Sequence, residues 1–336
     1  MTSARGDRPD IPASETDGID VIIPVHGKWE LTRECLLALR EQTIGHNVIV
    51  VDDAGGDETG AEISKHFPEV HLVTLAQNRG FGSACNAGIR HGKSPLVVLL
   101  NNDACAAPTF LEEIAAAFSR DATVGSIAPL VLENSDRIQA LGITVDPTLS
   151  SHHRFQGQPR DSVDGPEFRL CGVYGAAAGY RREALEGVGL FDENFFMYHE
   201  DLDLSLRLGA AGWGVAAAPH AEVTHLSGGT TDNHSRGQRE NFSYGRGYMI
   251  RAYSLLKTRS ALRVLAIETL VCAHNVVRYG DVVAITGRWR GFSAGSRAAR
   301  RPTLTGSTGL VDSHITLARS VKLRREIGRA TRRQTT

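Results

Sequence analysis

Several short stretches of this chain gather oxygen and nitrogen ligands where chemistry would need them. Leu99-Leu100-Asn101-Asn102-Asp103 closes an apolar run with two amides and a carboxylate. A carboxylate fixed at a strand end suits a Mg²⁺ or Mn²⁺ ion, which takes oxygen ligands and is commonly shared with substrate phosphates. Asn and Asp also make ordinary strand-to-turn caps, and these residues alone satisfy both readings. Met197-Tyr198-His199-Glu200-Asp201-Leu202-Asp203-Leu204-Ser205-Leu206-Arg207 opens a helix with three acids in its first turn, behind an aromatic stretch at 191–196. Acids favour the positive helix end, and Asp203 with Arg207 forms an i,i+4 pair worth a few tenths of a kcal/mol. A carboxylate beside bulky aromatic groups also has the desolvation and positioning of a general base. His225 stands where an apolar run gives way to Leu226-Ser227-Gly228-Gly229-Thr230, either as a metal ligand or as a hydrogen-bonded surface residue.

These groups need rigid elements to hold them. Ile19-Asp20-Val21-Ile22-Ile23 reads as a strand that stops at Pro24, which has no N–H for the ladder. A helix over 29–42, a β-branched strand at Val48-Ile49-Val50-Val51, a short helix ending at His66, a strand over 70–75, a helix opening near Phe81 and the strand Leu96-Val97-Val98-Leu99-Leu100 follow. Apolar strands separated by helices predict an α/β fold with a mostly parallel central sheet covered on both faces. Ligands of such sheets bind beyond the carboxyl ends of the strands. Residues 24–26, 52–53, 78–82 and 101–103 all fall at such ends. The glycines of Asn78-Arg79-Gly80-Phe81-Gly82 do not make a dinucleotide fingerprint: they follow the third strand, and the loop after the first, Pro24-Val25-His26-Gly27, lacks G-x-G-x-x-G.

The rest is bounded by composition. With 336 residues, 41% hydrophobic and 22% charged, the chain can bury a sizeable core. A net charge of -1 excludes the overall basic field of a nucleic-acid binder. Cys35, Cys85, Cys105, Cys171 and Cys272 are widely spaced without a C-x-x-C pair, so neither a disulfide framework nor a zinc cluster is expected and a reducing cytoplasm fits. Residues 1–18 lack the apolar core of a secretory signal and are expected to be a disordered leader. Residues 137–169 lose the periodic pattern and read as loops or a small antiparallel excursion. Residues 236–285 are helical in pattern but interrupted by Arg263, Glu268, His274 and Arg278, which leaves no membrane span. The end beyond 288 is strongly basic, either a solvated tail or, with an amphipathic helix before it, a contact for an anionic membrane face.

Taken in order, these segments resemble the family 2 glycosyltransferases with the GT-A fold, especially the branch that includes rhamnosyltransferases and galactofuranosyltransferases. The residues that carry the likeness are Val21-Ile22-Ile23-Pro24-Val25, Val50-Val51-Asp52-Asp53, Asn78-Arg79-Gly80-Phe81-Gly82 with Asn86 and Gly88, Leu100-Asn101-Asn102-Asp103 and Phe196-Met197-Tyr198-His199-Glu200-Asp201-Leu202-Asp203-Leu204. The resemblance implies a GT-A, Rossmann-like nucleotide-sugar-binding fold over 19–232, divided into a nucleotide-sugar half (19–130) and an acceptor half (131–232). A helical extension (233–287) and a basic tail (288–336) follow. It implies that Pro24, Val25, His26 and Asp53 hold the nucleobase, that Asn78 and Gly80 shape the same pocket, and that Asn102 and Asp103 meet the diphosphate. Asp103 and His225 would coordinate Mg²⁺ or Mn²⁺, Asp201 would be the general base with Glu200 beside it, and Ala177, Ala178 and Gly179 would line the acceptor side. Two departures stand out. Asn101 occupies the place of the first aspartate of a D-x-D element, and Val25-His26-Gly27-Lys28 replaces an aromatic-Asn pair after the proline.

The implied reaction is inverting transfer of a sugar, rhamnose-like or another hexose including galactofuranose, from a dTDP- or UDP-linked donor. The acceptor would be a glycan or a lipid-linked glycan of the cell envelope, met in the cytoplasm at the inner membrane face. Two further classes stay open below it: an inactive nucleotide-sugar-binding scaffold at the membrane, and a nucleotidyltransferase, which would normally carry a Gly-rich basic loop after strand one.

Overall fold

The structure, a computed structural model, describes residues 18–133, 136–163, 169–226, 235–299, 301–302, 304 and 310–323. Residues 1–17 of the predicted leader, the Gly228-Gly229-Thr230 segment and the basic residues from Arg324 onward lie outside the described residues.

The first half alternates as its periodicity requires: β1 (Ile19–Val25), α1 (Trp29–Arg40), β2 (Asn47–Asp52), α2 (Thr59–His66), β3 (His71–Thr74), α3 (Phe81–His91) and β4 (Leu96–Leu100). Next come β5 (Ala104–Ala106), α4 (Phe110–Ser119) and β6 (Val124–Glu133), then three short strands, β7 (Arg137–Ala140), β8 (Ile143–Val145) and β9 (Ser151–His153). The chain continues with β10 (Ala177–Arg181), α5 (Arg182–Val188), α6 (Glu200–Ala210) and β11 (Gly214–His225), and then with α7 (Arg236–Ala252), α8 (Ala261–Tyr279) and α9 (Val283–Ala294).

The main sheet runs β3-β2-β1-β4-β10-β6-β11-β5, with β7 on the edge of β6, while β8 and β9 form a separate hairpin. It is parallel from β3 to β4. Beyond β4 it becomes mixed, because β10 is antiparallel to both β4 and β6 and β11 is parallel to β6. Strand β1 does not stop at Pro24. The ladder to β4 ends at Ile22, so past that point only the β2 side needs pairing and the missing proline N–H costs nothing there. The unpatterned stretch after 137 is the small antiparallel excursion, β7 on the main sheet and the β8–β9 hairpin beside it.

Apolar side chains alternate across the sheet and build two cores. One holds Val21, Ile23, Val98 and Leu100 with α1 and α4; the other holds Ile22, Val97 and Leu99 with α3 and α5. A third cluster joins Ile143, Phe195, Leu202 and Leu206 to Tyr248, Met249 and Val264, so α7 and α8 pack on α6 and on the β8–β9 hairpin. The helical stretch is three helices rather than one. A turn after Ala252 and Gly280, at φ +68° after α8, break the run.

Candidate active site

The carboxyl ends of β1, β2 and β4 and the start of α3 are tied into one rim by side chains that bond backbone. The Asp53 carboxylate accepts the Arg79 N–H on Oδ1 and the Gly80 N–H on Oδ2, both at 2.8 Å. Asp53 is therefore first a clamp that shapes the 78–80 loop. His26 donates from Nδ1 to the Asp53 carbonyl at 2.9 Å, which leaves Nε2 to accept from the Asn78 amide at 3.2 Å. His26 and Asn78 are exposed on this rim, a fitting place for a nucleobase.

Two residues expected to touch the donor do something else. Val25 is buried among the sheet's apolar residues, and its carbonyl accepts the Asp53 N–H at 2.8 Å. Asn102 is buried too; its amide donates to the Thr32 hydroxyl at 3.0 Å, which fixes the start of α1 under the rim. Both position the rim from below rather than face into it.

Asp103 and His225 meet because β5 and β11 pair. The register sets His225 opposite Ala104, and the Leu226 N–H donates to the Asp103 carbonyl at 2.9 Å. His225 Nδ1 lies 2.8 Å from Gln139 Oε1, so that nitrogen carries the proton and Nε2 presents a lone pair. That lone pair sits 3.0 Å from Asp103 Oδ1, yet Oδ1 is buried and forms no hydrogen bond. In the neutral ring, whose Nε2 also lies 3.3 Å from the Asn101 amide, this contact calls for a cation between the two atoms; with a proton on Nε2 it is an ion pair. Adjacent ligands of an octahedral ion with bonds of about 2.1 Å are separated by about 3 Å, so this pair fits a divalent cation. Among the described residues no cluster of three or more His, Cys, Asp or Glu is set to hold a metal, so any further ligands there would come from the substrate or from water.

The acids of α6 sit behind a strained turn. Tyr198 and His199 both take φ 73°, a left-handed conformation that costs about 1–3 kcal/mol per residue and persists only where neighbours enforce it. Helix α7 does so: the His199 ring packs on Phe242 at 4.6 Å, and Nε2 lies 3.2 Å from the Phe242 carbonyl. From the other side the Phe81 N–H donates to the Phe196 carbonyl at 3.0 Å. The Asn86 amide brackets Phe191, with 3.0 Å bonds to both its N–H and its C=O. The aromatic run is thus pinned to the first turn of α3.

The two acids differ in partners. Asp201 accepts the Leu202 N–H at 2.7 Å and the Gly175 N–H at 3.2 Å, whereas the buried Glu200 Oε2 has no hydrogen bond. Burial raises both carboxyls above the usual range. For Asp201 the two backbone N–H groups offset part of that, and for Glu200 the neighbouring Asp201 adds to it. The unequal partners separate the two acids: Glu200, raised to about 8, holds its proton more tightly, and the backbone N–H groups favour the charged form of Asp201. Asp203 is fully buried and accepts from Arg207 Nε at 2.8 Å and from Arg301 Nη2 at 3.2 Å, so it is more than a surface helix pair.

Sequence reasoning placed the acceptor side on Ala177, Ala178 and Gly179, and this is corrected. All three lie in β10, paired with β4 in the middle of the sheet, and a side chain at Gly179 would run into Ile114 and Phe118 of α4. The start of the same small-residue segment, Gly175-Ala176, lies with Tyr174 in the turn at the rim, where the Gly175 N–H reaches Asp201 and the Ala176 carbonyl accepts the Asn101 N–H. Three residues there went unremarked. Gln139 orients His225, Tyr174 lies 6.3 Å from the His225 ring, and His153 lies 4.3 Å from the Tyr174 ring. Burial and then its neighbour His152 depress His153 to about 4, so its ring is neutral. Burial and Asp201 push the Tyr174 phenol up.

A sheet of this topology, parallel on one side and mixed on the other with a polar rim at its strand ends, is that of the GT-A fold. The chain belongs to glycosyl transferase family 2, whose family model matches residues 20–189, just over half of its length. Over 202 residues it is 26% identical to an N-acetylglucosaminyl-diphospho-decaprenol L-rhamnosyltransferase of Mycobacterium tuberculosis, covering 53% of this chain and 66% of that protein. Over 226 residues it is 26% identical to the O-antigen biosynthesis protein RfbC of Myxococcus xanthus, covering 64% of this chain and 18% of that protein. The chain thus spans less than two thirds of either relative. Among solved structures it is similar to the mannosyltransferase PcManGT from Pyrobaculum calidifontis, solved with GDP-Man and Mn²⁺. That match has a TM-score of 0.50 at 18% identity and covers 84% of this chain and 76% of that one. It is also similar to GalNAc-T7, solved with UDP, GalNAc and Mn²⁺, with a TM-score of 0.53 at 15% identity, covering 79% and 58%. These likenesses establish the GT-A fold.

Proposed function

We propose that this protein is an inverting glycosyltransferase that moves a sugar from a dTDP- or UDP-linked donor to a glycan or lipid-linked acceptor, with a rhamnose-like hexose as the first donor to test. The single observation that carries the reading is the convergence of two unlike sites on one rim: the Asp103–His225 pair, suited to a cation and a diphosphate, and Asp201, a buried but hydrogen-bonded carboxylate. The likeness to a rhamnosyltransferase supports the donor class, and the neighbours solved with Mn²⁺ support the cation.

In this mechanism His26, Asn78 and the loop held by Asp53 receive the base. Asp103 and His225 would hold Mg²⁺ or Mn²⁺, which supplies positive charge to the departing diphosphate. Asp201 takes the acceptor hydroxyl proton as the acceptor oxygen attacks the anomeric carbon from the face opposite the diphosphate. Glu200 keeps its own proton and shields the base from solvent. Tyr174 and His153, lying between the cation pair and the base, offer a neutral aromatic wall to a sugar ring.

The test is a panel of nucleoside-diphosphate sugars read by thermal shift with Mn²⁺ present, followed by turnover of the best binder. The expected result is stabilisation by one donor, lost in Asp103→Ala, because a ligand bound to the folded state shifts unfolding by mass action. Near-normal transfer by folded Asp201→Asn would remove the proposed base.

A further inference from the structure

Helix α8 turns Arg263 and Glu268 toward the protein and carries an apolar stripe outward. The Glu268 carboxylate faces the protein, bonded at 2.7 Å by Nε of Arg246 and at 2.7 Å by Nε of Arg288. Arg263 likewise donates to the Ile315 carbonyl at 3.0 Å and the Thr316 carbonyl at 3.2 Å. On the opposite side Leu262, Leu265, Thr269, Leu270, Ala273 and Val277 recur at helical spacing, all exposed and none charged. Leu262 is 82% exposed, Leu270 63% and Val277 87%. The next helix, α9, adds Ile285 and Trp289, the latter 74% exposed. Soluble proteins scatter single exposed leucines, but a contiguous stripe along more than four turns marks a surface that something covers.

The charges at the margins identify the occupant. Lys257 and Arg259 precede α8, Arg278 ends it, and Arg297 follows α9. The acids of this region are engaged within the protein: Glu268 as above, and Asp281 by Arg239 at 2.7 Å. A second copy of this face would set these cations against each other, which an interface disfavours. A bilayer with anionic headgroups accepts both parts, apolar residues at the acyl boundary and Lys and Arg at the phosphate level, with tryptophan in the interface. No helix among the described residues is long and apolar enough to cross a membrane, so the contact lies along the surface.

We propose that the outer face of α8, extended by Trp289, seats this protein on an anionic bilayer surface. The proposal is independent of the sugar-transfer reading, since it uses no residue of the rim. It narrows the predicted membrane contact, an amphipathic helix with a basic tail, to the outer face of one folded helix.

The experiment is flotation of the full chain with vesicles of phosphatidylcholine alone and of phosphatidylcholine with about one third phosphatidylglycerol, alongside sedimentation equilibrium without lipid. Binding to the anionic vesicles is expected, weakened but not abolished by salt, since only the charge contribution is screened. Leu270→Glu with Val277→Glu is expected to cut partitioning by roughly tenfold or more, because it places charge at the apolar boundary. The melting temperature should hold, both positions being exposed. Neutralising the arginines at 324, 325, 329, 332 and 333 should leave a clear part of the binding. The proposal is overturned if the wild type ignores both vesicle types or if the double variant binds like the wild type. It is equally overturned if the double variant instead dissolves a dimer that never bound vesicles, which would make the occupant a second copy.

Discussion

His225 Nε2 lies 3.0 Å from Asp103 Oδ1, held there by the backbone ladder between β11 and β5 and by the bond from Nδ1 to Gln139. Because the approach is set by the sheet rather than by the two side chains, it is preorganised for a ligand between them. His225→Ala is expected to lower Mn²⁺-supported turnover by on the order of 10²–10³, as for loss of one preorganised charge partner, and to weaken Mn²⁺ binding measured by calorimetry. Unchanged Mn²⁺ affinity in a folded His225→Ala protein would reduce the contact to an ion pair. Gln139→Leu should give a smaller loss, about 10–100-fold, typical of removing the group that orients a ligand histidine.

The proposed base should announce itself in the pH profile. Asp201 is raised by burial, so it loses its proton at higher pH than an ordinary aspartate, and transfer should climb with pH through that raised value. Glu200, raised by burial and by Asp201 to about 8, ionises on the alkaline side. Glu200→Gln mimics its protonated form, so it should preserve the acid limb of kcat against pH and alter only the alkaline side. An acid limb that moves with Glu200→Gln while surviving Asp201→Asn would exchange their roles.

Much of this arrangement was legible in the sequence, and what was not has a physical cause. Strands β1, β2 and β4 are buried on both faces, so their apolar runs declare them, and the polar residues at their ends fall on one rim by topology alone. Asp103 and His225 stood at ends of such runs, and Asp201 in the first turn of a helix behind an aromatic stretch. Ala178 and Gly179 misled because small residues suit a ligand wall and a tight helix–sheet contact equally well, and only the packing of Ile114 and Phe118 distinguishes the two. Gln139 and His153 lie on three- and four-residue strands, too short to carry a period. Their roles arise from contacts with residues far along the chain. The inward charges of α8 were read as interruptions of a helix because sequence does not disclose which face a partner covers.

Gly80 is where the donor loop and the base segment touch. It takes φ +85°, and a Cβ there would fall on the Phe196 carbonyl oxygen that accepts the Phe81 N–H. Gly80→Ala therefore combines a left-handed backbone with a backbone clash and is expected to destabilise by roughly 1–3 kcal/mol or more. Because it displaces 196–199, it should also depress turnover beyond what the lost stability explains, measured well below the melting temperature. An active, equally stable Gly80→Ala protein would show that the two segments are not coupled.

The last prediction concerns how the helices hold the base in place. Glu268 is half-buried, and although burial alone would raise its carboxyl, Arg246 and Arg288 keep it well below the ordinary range near 4.5. Arg246 also donates to the Leu149 and Thr148 carbonyls, at 3.0 and 2.8 Å, so this ion cluster ties α7, α8 and α9 to the loop after β8. The sign follows from linkage. A carboxyl depressed in the folded state contributes stability that is complete above its unfolded value and is lost as pH falls through the folded one. Glu200 and Asp201, raised on folding, act the other way and gain stability as pH falls. Glu268→Gln is expected to cost about 3 kcal/mol at neutral pH, since it leaves the buried Arg246 and the half-buried Arg288 without their carboxylate, and to flatten the fall of stability between about pH 4.5 and pH 2. Parallel stability curves for wild type and Glu268→Gln in urea titrations across that window would mean the carboxylate carries no such linkage.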